Sequence, residues 1–157
     1  MKGSSLFLVL ALGAAGAVSC KKSAEGGGSG GGGTVSLALP GVGLTAQVPE
    51  GSKVDKATVG EGLTIEGPDL SVDIESPPND VREKTLAEAK AKVAGKPSKD
   101  ETLPDGWAIR YETHGIAGTV YWVASRRTIN GKPVWCDTTG TSAEQQANAL
   151  AVCKSLK

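Results

Sequence analysis

Residues 119–129 constrain the fold more than any other stretch, because they are apolar on both faces of an extended chain. Val120, Trp122 and Ala124 point one way, and Tyr121 and Val123 point the other. A strand of that kind belongs inside a sheet covered on both sides. Gly115-Ile116-Ala117-Gly118 turns into it, and Asn130-Gly131 turns out of it with the strongest hairpin signal in the chain. Its neighbours follow. Trp107, Ile109 and Tyr111 alternate with Ala108, Arg110 and Glu112 on one side, and residues 134–138 extend on the other, so three strands form a meander.

Shorter alternating runs come first. Val35, Leu37 and Leu39 mark one strand, and Leu44, Ala46 and Val48 a second, stopped by Pro49-Glu50-Gly51. Leu63 and Ile65 mark a third. Gly67-Pro68-Asp69 turns into a fourth that carries Leu70, Val72 and Ile74, with Ser71, Asp73 and Glu75 on its polar face. Pro77-Pro78-Asn79-Asp80 opens a helix, with Asp80 and Glu83 as its capping box and Gly95 and Pro97 at its end. Leu86, Ala89 and Val93 share one face of that helix, and Glu88 and Lys92 form an i,i+4 pair outside. Thr141-Ser142-Ala143-Glu144 caps a last helix that presents Ala147, Leu150, Ala151 and Cys153. The predicted order is β-β-β-β-α-β-β-β-α: an α+β domain with helices packed on an antiparallel sheet of about six to seven strands, like an α/β/α sandwich.

The N-terminus is of another kind. After Lys2, residues 6–18 form a thirteen-residue apolar run, short of the about 20 residues that span a bilayer. A positive start, a short apolar core and small residues after it make a secretory signal. Ala15-Gly16-Ala17 suits ordinary signal peptidase cleavage. Ala17-Val18-Ser19-Cys20 resembles the lipobox of bacterial lipoproteins, although Ala17 stands where Leu is commoner. The lipobox reading makes residues 1–19 the cleaved signal and Cys20 the lipidated N-terminus, holding the chain to an envelope membrane by its acyl chains, palmitate among them. It also leaves two cysteines, an even number for an oxidising compartment. Lys21, not Asp, follows Cys20, and by the family's rule this sends the protein to the outer membrane of a host that has one. Residues 20–33 then form a tether: seven of the 22 glycines fall in residues 26–33, and such a coil reaches about 20 Å. Residues 34–157 make the single folded domain.

Cys136 lies on the last strand and Cys153 near the end of the last helix. Their separation fits neither a zinc knuckle nor a Cys-x-x-Cys motif, so an exported chain is expected to hold them as a structural disulfide. If Cys136 faces the last helix, Trp135 faces the opposite side, where the first helix can cover it. This arrangement, together with LTAQVPEG (44–51), LPDGWAIRYE (103–112) and CKSL (153–156), is similar to the PsbP-like α/β/α sandwich. That resemblance spans about residues 35–157. It implies a domain that acts by binding or assembly, and it transfers no residue role to this chain.

Other motifs carry less chemistry. Seventeen Lys and Arg balance seventeen Asp and Glu, so there is no field to recruit nucleic acid. Gly41-Val42-Gly43-Leu44-Thr45-Ala46 matches a dinucleotide-loop pattern, but a strand, not a helix, follows it. His114 is the single histidine, with Glu112 on the same strand face, and reads as a surface residue. Asp69, Asp73 and Glu75 lack the remainder of a calcium loop and read as a solvated face. Arg126 and Arg127 read as exposed, with pairing to Glu112 across the hairpin a further option. No catalytic group, cofactor or metal site is expected. Trp107, after Pro104-Asp105-Gly106 at the sheet margin, is the candidate exposed binding aromatic. The leading expectation is a lipid-anchored accessory domain that binds a protein or other envelope partner. A carrier of a small hydrophobic ligand is the alternative, and needs an apolar pocket between sheet and helix lined by the tryptophans. An enzyme built on His114 and Glu112 ranks third.

Overall fold

The structure, a computed structural model, describes residues 33–58, 61–77, 82–93 and 97–157. The expected signal segment, Cys20, the tether up to residue 32, Asp80 and Gly95 lie outside the described residues. The described elements run β1 (Thr34–Leu39), β2 (Leu44–Pro49), β3 (Lys53–Lys56), β4 (Leu63–Gly67), β5 (Leu70–Glu75), α1 (Leu86–Lys92), β6 (Pro97–Leu103), β7 (Gly106–Gly115), β8 (Gly118–Ile129), β9 (Lys132–Gly140) and α2 (Ala143–Ser155).

Seven strands form one sheet in the order β3-β4-β5-β9-β8-β7-β6, and all their pairings are antiparallel. The fold is α+β, as expected, and β8 is interior. The strand order differs from the expected one in two ways. β1 and β2 pair only with each other, as a separate two-stranded sheet. Two further strands, β3 and β6, close the edges of the large sheet. Both are rich in charge, KVDK and PSKDETL, which suits an edge that must refuse further pairing and hides it from an apolar-period reading.

The two faces of the sheet are covered unequally. On one, Val72 and Ile74 of β5, Val134 and Cys136 of β9, Val123 of β8 and Ala108 of β7 pack against Ala149, Leu150, Val152 and Cys153 of α2. The β1–β2 hairpin adds Leu39, Leu44, Ala46 and Val48 to this core. Thr45 of β2 and Lys157 exchange two backbone hydrogen bonds, of 2.9 and 3.1 Å. The Cys136–Cys153 disulfide joins β9 to α2, with Cα atoms 5.5 Å apart.

The opposite face is covered because β5 must connect to β6 at the far edge, and the chain therefore crosses β9, β8 and β7. The crossover carries α1, whose Leu86 and Ala89, with Val93 just past its end, pack on Trp107, Ile109, Trp135 and Ala124. Trp135 therefore faces α1 and Cys136 faces α2, as alternation requires. A helix of seven residues is about 10 Å long, far shorter than the strands beneath it, so α1 itself covers only part of this face.

Several local expectations are corrected. Residues 82–85 are not helical: α1 begins after Thr85, whose hydroxyl accepts from Glu88 N while the Glu88 carboxylate accepts from Thr85 N. That second duty takes Glu88 from Lys92, which pairs with Glu83 instead. The cap of α2 is Ser142, accepting from Gln145 N at 3.1 Å, with Gln145 reaching back to Thr141 N. The helix therefore turns Gln146, Ala149, Leu150, Val152 and Cys153 inward and leaves Ala147 and Ala151 exposed. Arg127 pairs not with Glu112 but with Asp105, and it donates to the carbonyls of Cys153, Lys154 and Leu156 at the end of α2.

Candidate ligand-binding site

The registers of β5, β9, β8 and β7 set out the open face row by row. Glu75, Trp135, Arg126 and Trp107 lie side by side; Asp73, Asp137, Ala124 and Ile109 form the next row; Trp122 and Tyr111 pair in the third. Ala124 is the small residue in the middle of this set. The large rings around it rise from the sheet and Ala124 does not, so a hollow forms above it.

The hollow is a cavity of about 350 Å³, floored by Ile109 and Ala124, walled by Trp107, Tyr111, Trp122 and Trp135, and rimmed by Ala89, Val93, Lys92 and Glu83. Trp107 and Trp135 meet edge to face at 5.6 Å and 79°, each only 3% exposed. Trp107 is therefore not the exposed aromatic expected of a sheet margin: α1 and Trp135 bury it, and it serves as a wall. Its indole Nε1–H is buried with no hydrogen-bond partner among the described residues. Tyr111 and Trp122 are half-buried and stack in parallel, their centroids 5.7 Å apart and their planes within 1°.

These two rings are fixed from both ends. The Trp122 Nε1–H donates to Thr113 Oγ1 at 2.9 Å. From the other face of the sheet, the buried Gln146 amide donates to the carbonyls of Tyr111 and Trp122, at 3.1 and 3.0 Å. Gln146 and Asp137 are the two residues that sequence reasoning missed. The signal for Asp137 was its alternation with Trp135, which puts a carboxylate on the apolar face. For Gln146 no local signal exists, since its partners lie on strands packed under the helix.

Charge around the cavity is mostly paired. Arg82 bonds Glu75 and lies 5.0 Å over the Trp135 ring; Lys92 bonds Glu83; Lys90 bonds Asp100 at 2.7 Å. Lys92 holds the Glu83 carboxyl below its ordinary value. Asp137, half-buried beside Ala124, has no hydrogen bond to any described residue. Burial, with the charges of Asp73 and Glu75 acting the same way against Arg82, pushes its carboxyl up to about 6. The Tyr111 phenol is raised as well, by burial first and then by the Asp137 charge, which places that carboxylate within electrostatic reach of the ring wall.

The other candidates lie elsewhere. His114 sits near the β7–β8 turn, on the α2 side of the sheet, with Nδ1 3.0 Å from Thr119 Oγ1. Gly41 and Gly43, both at positive φ, make the turn between β1 and β2, and β2 follows without a helix. Asp69 sits in the β4–β5 turn, while Asp73 and Glu75 do share a face. Among the described residues no cluster of three or more His, Cys, Asp or Glu could hold a metal ion, and no helix is long and apolar enough to cross a membrane. No protein-family model matches the chain, and comparison with curated proteins returned no match.

Proposed function

We propose that this chain is an exported, lipid-anchored binding protein whose domain holds a small, largely apolar ligand between the sheet and α1. The observation that carries the reading is the aromatic cavity of about 350 Å³. It lies within the range of small-molecule sites, about 300–1,000 Å³, toward the end suited to a ligand of one or two rings. A pocket of this kind is what a carrier requires and an accessory scaffold does not, so the carrier reading moves ahead of docking to an envelope protein. Catalysis gains no support from His114 and Glu112, since both lie on the other face of the sheet.

The anchor belongs to the same proposal. Cys20 carries the lipid, residues 21–33 tether the domain, and the protein sits on a cell-envelope membrane, the outer one where the host has two. The layering of α2, sheet and α1 supports placing the domain with the PsbP-like α/β/α sandwiches, whose members act by binding.

The test is intrinsic fluorescence of the full chain during titration with a panel of small aromatic and aliphatic compounds. The proposal expects saturable quenching by at least one of them, abolished in Ala124→Leu, which fills the floor of the cavity. Quenching that persists unchanged in Ala124→Leu would place the ligand elsewhere.

A further inference from the structure

We propose that the ligand is an organic cation, held with its ammonium group between the Asp137 carboxylate and the π faces of Tyr111 and Trp122. This inference rests on the cavity reading and adds the chemistry of what enters it.

Three observations support it. First, the walls are four aromatic rings, and ring faces carry the negative end of the quadrupole, so they favour a cation over an anion or a neutral polar group. Second, the face already holds one cation in this manner. The Arg82 guanidinium lies over Trp135 and bonds Glu75, the residue directly opposite Trp135 on the neighbouring strand. Asp137, opposite Ala124 of the cavity floor, and the Tyr111–Trp122 pair repeat that combination of carboxylate and ring beside the cavity; the cation within electrostatic reach of Asp137 is Arg82, which bonds Glu75. Third, the carboxylates nearby are otherwise matched. Glu75, Glu83 and Asp100 bond Arg82, Lys92 and Lys90, and Asp73 accepts from Thr64 Oγ1. Arg126 lies in the row of Trp107 and Trp135 and is not free. Among these carboxylates Asp137 is the one that bonds neither a described cation nor, as Asp73 does, a hydroxyl, with Arg82 acting on it from its place on Glu75, so it is the carboxylate a ligand cation would bond. The buried Trp107 Nε1–H, the donor that the lining leaves without a partner, selects a cation that also bears an acceptor.

Ligands of this class are small ammonium compounds with an apolar body. Asp137 also makes their capture depend on pH. As pH falls through about 6 the carboxyl takes a proton, and a cation loses its counter-charge while a neutral ligand loses nothing. Tyr111, Asp73, Glu75 and Arg82 face the same carboxyl and set where that change falls.

The experiment compares phenyltrimethylammonium with its uncharged isostere tert-butylbenzene, read by tryptophan quenching of the full chain at pH 8 and pH 5. The permanent charge of the first probe keeps its own state fixed. The expected result is affinity about tenfold higher for the cation at pH 8, with most of that advantage lost at pH 5. Asp137→Asn should erase the advantage at pH 8 and leave tert-butylbenzene binding unchanged; the acid arm on the unaltered chain gives the same reading if that variant does not fold. Equal affinity for the two probes at pH 8 overturns the cation assignment and leaves the cavity reading standing. Binding of neither probe overturns both.

Discussion

The side-chain amide of Gln146 donates to the Trp122 carbonyl at 3.0 Å from the face of the sheet opposite the Trp122 indole. A residue of the α2 core thus fixes the backbone from which a ring of the cavity wall projects. The same amide reaches the Tyr111 carbonyl, so both members of the stacked pair depend on it. Gln146→Leu should lose about 1–3 kcal/mol of stability, since two buried carbonyls lose a donor. It should also weaken binding of any ligand that quenches tryptophan fluorescence. Urea unfolding and the quenching titration check the two effects; unchanged affinity in a destabilised variant would confine Gln146 to the core.

Arg127 performs a similar service at the other end of α2. Gly106 permits it: an added Cβ there would fall 1.9 Å from the Arg126 carbonyl, so only glycine lets β7 start this close to β8. Asp105 is thereby set against Arg127, whose Nη1 donates to three carbonyls at the end of α2. Arg127→Ala should cost about 2–3 kcal/mol at pH 7. The Asp105 carboxyl is held below its ordinary value by that guanidinium. Its contribution is therefore present above about pH 4 and is lost as pH falls through the lowered folded value. Chemical denaturation of both proteins from pH 7 to pH 2 should show the gap between them narrowing.

Cys136 and Cys153 are 17 positions apart in sequence, and closing a loop of that size stabilises by about 3 kcal/mol in the chain-entropy picture. Unfolding with and without reductant measures it. A midpoint that does not move would show that packing and the hydrogen bonds of Gln146 and Arg127 hold α2 without the disulfide.

Asp137 contributes with the opposite sign to Asp105. Its folded carboxyl binds a proton more tightly than the unfolded chain does. The stability that this gives is full below about pH 4 and is lost as pH rises through about 6. Asp137→Asn should therefore raise stability by about 1–2 kcal/mol at pH 8 and change little at pH 4. Thermal unfolding at the two pH values decides it, and a destabilised variant at pH 8 would mean that the carboxylate has a partner after all.

What could be read from the sequence divides along physical lines. β2, β5 and β8 were legible because burial on one face or both leaves a regular apolar pattern, as in Leu44, Ala46 and Val48. The edge strands β3 and β6 were not, because an edge is stabilised by backbone pairing while its side chains stay charged. Asp80 with Glu83 and Thr85 with Glu88 carry the same capping signature, and α1 starts at the second of them. At the site, a pocket between sheet and helix lined by the tryptophans is legible as one alternative, and the burial of Trp107 is not. Whether Trp107 is exposed depends on which strands α1 crosses, and that follows from the connection of β5 to β6 rather than from any local pattern. The Cys136–Cys153 bond was legible because their spacing fits neither a zinc knuckle nor a Cys-x-x-Cys motif, which leaves a structural disulfide as the simplest use of the pair.

The most direct test of the account is the indole N–H region of the ¹H–¹⁵N spectrum of the full chain, where each of the three tryptophans gives one signal. Phenyltrimethylammonium added at pH 8 should shift the Trp107 and Trp122 signals saturably and with one affinity. Backbone signals of the β1–β2 hairpin, which belongs to the core on the other face, should stay in place. Indole signals that do not move while signals elsewhere do would contradict a ligand site between the sheet and α1.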